Sequence, residues 1–230
     1  MISPLVYLAD YAYALRLASR SVFNRRDVSQ YLGGDLAPVV LLPGVYEPWT
    51  FLRPLAERLH AIGHPVHVVR ALGNNTRSIP VAAARAEAYL DRDDLHGVVL
   101  VAHSKGGLIG KHMMLVNDSA GRIDRLVAIA TPFGGSRYAH WMLDPSLRAF
   151  RPTDRTMAML AASASVNARI TSIYGEVDTH IPEGCELPGA ANLEFPVQGH
   201  FRVLADEAVL AAVDAAVGRH QGRPTADSPR

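Results

Sequence analysis

The sequence predicts an α/β fold: a mainly parallel central sheet of about six strands with helices on both faces. Three observations predict it: short runs that are apolar at every position, amphipathic segments alternating with those runs, and glycine or proline at many of the junctions. A strand covered on both faces is continuously apolar, whereas antiparallel hairpins would show tight turns and alternating polarity.

Residues 4–23 carry Leu5, Leu8, Tyr11, Leu15 and Val22 near helical spacing, with Arg16, Arg20, Arg25 and Arg26 on or just beyond them. They predict a helix packed on the domain, with attachment to a membrane surface as the alternative. With the loop at Gly33 and Gly34 they form an N-terminal extension, 1–37. Pro38–Pro43 is the first strand, closed by Gly44; Leu52, Leu55, Leu59 and Ile62 then mark a helix that ends at Gly63. Val66–Arg70 is the second strand, and the alanine-rich stretch from Val81 to Leu90 is a second core helix. Val98–Ala102 is the third strand and runs straight into His103-Ser-Lys-Gly-Gly107 and a helix through Met114. Leu126–Ala130, Ile170–Tyr174 and Asn192–Phe195 complete the strands, Asp206–Val217 is the last helix, and 218–230 reads as a frayed polar tail. The main domain is therefore 38–217. Residues 137–168 lack a strand signal but hold Trp141, Met142, Phe150, Met157 and Leu160, so they predict either a short helical cover over a binding site or plain core helices.

The bulk numbers narrow the function. A chain of 230 residues, 49% hydrophobic and 20% charged, suits one globular domain. With 23 basic and 22 acidic residues the net charge is +1, so nothing draws the protein to nucleic acid. A lone Cys185 forms no internal disulfide and fits a reducing compartment. The N-terminus lacks a secretory signal, and Asp10 and Arg16 interrupt its apolar stretch, so a cytoplasmic protein is expected, peripheral to a membrane at most. His60 and His64 stand four apart, but Gly63 and Pro65 break the helix between them; neither a metal nor a cofactor is expected.

The chemistry collects at strand ends. Ser104 lies between an apolar strand and a helix, with Ala102 two residues before and Gly106 two after, small enough for a sharp turn. Such a turn exposes the hydroxyl and aims a helix N-terminus at it, making Lys105 N–H one oxyanion donor and Val45 N–H, after the first strand, the second. The Lys105 side chain should project toward solvent or substrate, and His103 should pack. A serine needs a base and a group to orient that base. His200 follows the sixth strand and Asp178 the fifth, with Glu176 as a rival acid, and in a parallel sheet all these ends share one edge.

The order Ser, Asp, His, with Ala-His-Ser-Lys-Gly as a version of G-x-S-x-G, resembles the α/β-hydrolase family over residues 38–217. Pro43-Gly44-Val45 resembles its oxyanion loop, Tyr174–Asp178 its acid turn, Gln198-Gly-His200 its histidine loop, and Thr131–Ser136 the segment after the fourth strand of many lipases. Two departures are Ala102 in place of the usual glycine and Pro43 where lipases often have histidine. The resemblance implies a compact fold with a short cap at most and an esterase or lipase acting on small-molecule or lipid esters, with Ser104, His200 and Asp178 as triad. Tyr46, Phe133, Trp141 and Phe201 are the candidates for substrate contact. The alternatives are an acyltransferase using the same triad and a binding protein with an idle one.

Overall fold

The structure, a computed structural model, describes residues 3–23 and 27–218. Its strands are β1 (Val39–Leu42), β2 (Val66–Val68), β3 (Val98–His103), β4 (Ile123–Ile129), β5 (Ile170–Val177) and β6 (Ala191–Gln198). They form one sheet in the order β2-β1-β3-β4-β5-β6, and every neighbouring pair is parallel. The helices are α1 (Pro4–Phe23), α2 (Arg53–Ala61), α3 (Ile79–Arg92), α4 (Lys105–His112), α5 (Pro145–Arg148), α6 (Arg155–Ala162) and α7 (Glu207–Gly218).

Alternation along the strands divides the apolar runs between two cores. Val40, Leu42, Leu100, Ala102, Leu126 and Ala128 pack with α3 and α4 on one face; Val39, Leu41, Val99, Val101, Val127 and Ile129 pack with α2 and α7 on the other. Every residue of β1 and β3 is buried, as covering on both faces requires. The chain steps outward from β1 to β2 and then crosses back to β3, so the strand order reverses between β1 and β3. A crevice opens beyond the carboxyl ends of strands at such a reversal.

Several strands outrun their apolar cores. β4 begins at Ile123 and β5 continues to Val177, because backbone pairing includes Arg125 and resumes across register shifts that skip the polar residues Asp124 and Glu176. Helix α4 gives way at Met113 to a π-helical turn through Asn117.

The N-terminal helix is present where expected but packs through a different face. Asp10 and Leu17 are buried, whereas Leu5, Leu8 and Leu15 are 73%, 68% and 70% exposed and Tyr11 is half exposed. The physical reason is Asp10, whose carboxylate is drawn inward by backbone N–H groups and turns the leucines out. Arg25, Arg26, the side chains of Arg20 and Val22, and the tail beyond Gly218 lie outside the described residues. Among the described residues no helix is long and apolar enough to cross a membrane.

Lys111 on α4 is buried, its ammonium lying 5.9 Å from the centre of the Phe133 ring. Burial pushes this amine down to about 8. The folded state therefore disfavours the ammonium relative to the unfolded chain; this cost is full below pH 8 and is relieved as pH rises toward the ordinary lysine value. Lys111→Met, which keeps the volume, is expected to raise stability at pH 7 by about 1 kcal/mol or more, with a smaller gain at pH 10. Thermal unfolding at the two pH values checks both the sign and the trend.

Candidate active site

Ser104 occupies the turn between β3 and α4 with φ 50° and ψ −120°, a conformation that costs a non-glycine residue about 1–3 kcal/mol. The surroundings hold it there. Ser104 N–H donates to Ile129 O at 2.8 Å, and the Thr131 hydroxyl donates to Ser104 O at 3.0 Å, so the end of β4 grips the residue from both sides. Helix α4 then passes so close beneath β1 that a Cβ on Gly106 would lie 1.9 Å from Leu42 O. The first-turn N–H groups of α4, that of Lys105 among them, have no acceptor within the helix and point back over the turn.

The Lys105 side chain turns inward instead of toward solvent or substrate. Its Nζ is buried, donating to Asn75 O at 2.8 Å and to Arg77 O, and burial lowers the amine to about 8 against the opposing pull of Asp144. These carbonyls satisfy the ammonium where solvent does not reach. Asn75 in turn donates to Pro43 O at 2.7 Å, tying this loop to the turn after β1.

That turn carries Val45 and is shaped by Glu47. The buried Glu47 carboxylate accepts from Gly44 N–H at 2.7 Å and sits 2.8 Å from Nδ1 of His103; the other His103 ring nitrogen is 3.1 Å from His200 O. His103 is buried as expected, but it is a polar bridge between the turn after β1 and the histidine loop. Glu47 was legible only as a charge closely following a buried strand in Pro-Gly-Val-Tyr-Glu, a weak signal.

His200 follows β6 and Asp178 follows β5. His200 Nδ1 lies 2.8 Å from Asp178 Oδ2, while Asp178 Oδ1 accepts from His180 N–H at 2.7 Å and Ile181 N–H at 2.9 Å. The rival acid Glu176 is exposed and accepts instead from Gln198. Burial alone would push His200 down, but Asp178, with Glu47 and Asp10 behind it, outweighs burial and holds the imidazole above its ordinary value. Burial likewise works against the Asp178 carboxylate, yet His200 and the two N–H donors keep it below the carboxylate range. His180 has the opposite fate: burial and the neighbouring His200 push it down to about 4. Asp178, His180 and His200 offer ligand atoms within 4.8 Å of one another, but both carboxylate oxygens are already engaged, and the arrangement is that of a hydrogen-bonded His–Asp pair.

Ser104 and His200 open onto one cavity of 330 Å³, walled mostly by apolar groups that include Val45, Tyr46, Met142, Leu147, Phe150 and Phe201. Phe133 and Trp141 are not among its lining residues. Phe133 is buried in the core beside Lys111, and Trp141 is 86% exposed although its neighbour Met142 faces the cavity. Within 137–168, Met157 and Leu160 join the core, Tyr138 and Met142 wall the cavity, and Ala139 and Phe150 do both. Asp10, which in the sequence stands out only as a charge breaking an apolar stretch, is buried against the histidine loop.

The two neighbouring histidines, ring centres 4.8 Å apart, are expected to titrate on opposite sides of the ordinary histidine value. NMR titration should place His180 near 4 and His200 above 6.5. Asp178→Asn should bring His200 down, since the carboxylate is what overcomes burial; a His200 midpoint that stays put in this variant contradicts the assignment.

No known family model matches the sequence, and neither does any curated protein. Solved structures do. A lipase of Bacillus licheniformis in its mature form is 14% identical, with 80% of this chain and 96% of that chain covered and a TM-score of 0.62. A hydrolase of Oleispira antarctica is 14% identical, covering 85% and 98% of the two chains at 0.58, and an enol-lactonase of Burkholderia xenovorans is 16% identical, covering 80% and 93% at 0.56. These likenesses and the six-stranded parallel topology agree: the chain has the α/β-hydrolase fold.

Proposed function

We propose that the chain is a serine hydrolase that cleaves carboxylic esters with apolar acyl groups through an acyl-enzyme on Ser104. The observation that carries this reading is that Ser104, held in a strained strand-to-helix turn, and His200, paired with Asp178, face the same apolar cavity. With Nδ1 committed to Asp178, the remaining nitrogen of His200 takes the Ser104 proton as the hydroxyl attacks the ester carbonyl. The N–H groups of Lys105 and Val45 receive the negative charge on the carbonyl oxygen, each worth about 3 kcal/mol of barrier. His200 passes its proton to the departing alcohol, and water then releases the acid by the same steps in reverse. The likeness to a lipase and an enol-lactonase supports ester chemistry. A cavity of 330 Å³ lies at the small end of the range of about 300–1,000 Å³ for ligand pockets and favours short over long acyl chains.

Ser104→Ala is expected to keep the fold, abolish labelling by a fluorophosphonate and lower turnover of p-nitrophenyl esters by about a thousandfold or more. Across wild-type assays of increasing chain length, kcat/KM should peak at short acyl groups. Undiminished labelling of the alanine variant removes Ser104 from the mechanism.

The outward face of α1 favours a lipid surface as the place where the ester is met. Leu5, Leu8 and Leu15 are exposed on the helix whose Tyr11 lines the cavity, Arg16 is exposed beside them, and the acid of that helix is buried. Wild-type protein should co-sediment with phosphatidylglycerol vesicles. Leu8→Ser with Leu15→Ser should weaken that binding about tenfold or more while leaving hydrolysis of a soluble short ester unchanged. Equal binding by wild type and the double variant rejects this face.

A further inference from the structure

Helix α1 carries one acidic residue, Asp10, and places it where a buried charge meets four donors. Oδ2 accepts from His200 N–H at 2.8 Å and from the Thr179 hydroxyl at 2.9 Å; Oδ1 accepts from Phe201 N–H at 2.8 Å and Arg202 N–H at 2.9 Å. Three consecutive N–H groups converging on one carboxylate form the anion-holding start of a helical turn, here the 3-10 turn Arg202–Ala205. The approach needs glycine just before it. Gly199 has φ 121°, and a Cβ there would lie 2.5 Å from Asp10 Oδ1.

The arrangement reaches further than one loop. Thr179 stands between Asp178 and His180, so a single carboxylate ties the loop of the acid to the loop of the base. His200 is then held by its N–H from Asp10 and by its carbonyl from His103, leaving the imidazole little room to move relative to Ser104. We infer that Asp10 is a positioning residue for the reaction: the N-terminal helix supplies the carboxylate that sets His200 over the cavity and favours the imidazolium formed during proton transfer. This rests on the reading of His200 as the base.

The charged and titratable groups facing His200 are Asp178 and His180 from the loop after β5, His103 from β3, Glu47 from the turn after β1, and Asp10 from α1. Asp10 is among those that favour the protonated imidazole. Removing its charge should therefore lower the His200 midpoint, and because the base works when neutral, the acid limb of kcat/KM should move to lower pH. A merely structural role would lower the melting temperature without moving that limb.

The test is Asp10→Asn, whose amide in either orientation turns an NH2 toward at least one backbone N–H, a group that can only donate. The expected result is a fall in kcat of about ten- to a hundredfold with KM within about twofold, and an acid limb shifted downward. Thr179→Val, which keeps the carboxylate and its backbone donors, should cost kcat several-fold and is the second variant should Asp10→Asn not fold. The His200 midpoint, read by NMR in both variants, does not depend on turnover and so separates failure of this inference from failure of the ester reading. In the wild type, the amides of His200, Phe201 and Arg202 should exchange as slowly as those of β3. A folded Asp10→Asn protein with unchanged kcat and an unchanged His200 midpoint, or exchange of those amides at the rate of an open loop, overturns the proposal.

Discussion

The constraint on which the rest depends is the positive-φ turn at Ser104. A residue forced into that conformation relaxes unless its neighbours over-determine it, and here Ile129 O at the end of β4 and the hydroxyl of Thr131 just beyond that strand hold the peptide from both sides. The same turn demands the close passage of α4 beneath β1 that only Gly106 permits. The strand order follows suit: β3 lies between β1 and β4, so the turn after β1 stands on one side of Ser104 and the end of β4 on the other.

Around that turn, buried charge is managed almost entirely by backbone groups. Lys105 is satisfied by two loop carbonyls, Glu47 by Gly44 N–H and His103, Asp178 by two N–H groups and His200, and Asp10 by three N–H groups and Thr179. A buried ion held this way fixes the loop that supplies its partners, because moving the loop would strand a charge away from water. Hydrogen bonds from four separate segments thereby become one frame. Within that frame His180 and His200 are pushed to opposite sides of the ordinary histidine value, since one has lost its solvent without gaining a carboxylate and the other has gained one.

Helix α1 faces two ways. Its inner side carries the buried acid Asp10 together with Leu17, and Leu5, Leu8 and Leu15 are left outward on the helix whose Tyr11 lines the cavity. An amphipathic pattern is ordinarily read with the apolar side in, and that assumption fails when a carboxylate finds several donors at one place. Four hydrogen bonds to a charged acceptor, each stronger than a neutral one, outweigh the burial of side chains that remain free to meet another apolar surface.

What the sequence alone determined were the six strands, the order of helices between them, the turn at Ser104, and the common edge for Asp178 and His200. All of these rest on local signals: runs of apolar residues, glycine at junctions, and the rule that parallel strands end together. Only the tertiary structure decided that Lys105 turns inward, that Phe133 joins the core while Trp141 stays exposed, that Glu47 and His103 bridge two loops, and that Asp10 turns the first helix over. Each of these depends on donors or acceptors contributed by residues far away in the chain, and a side chain's polarity does not disclose whether such partners exist.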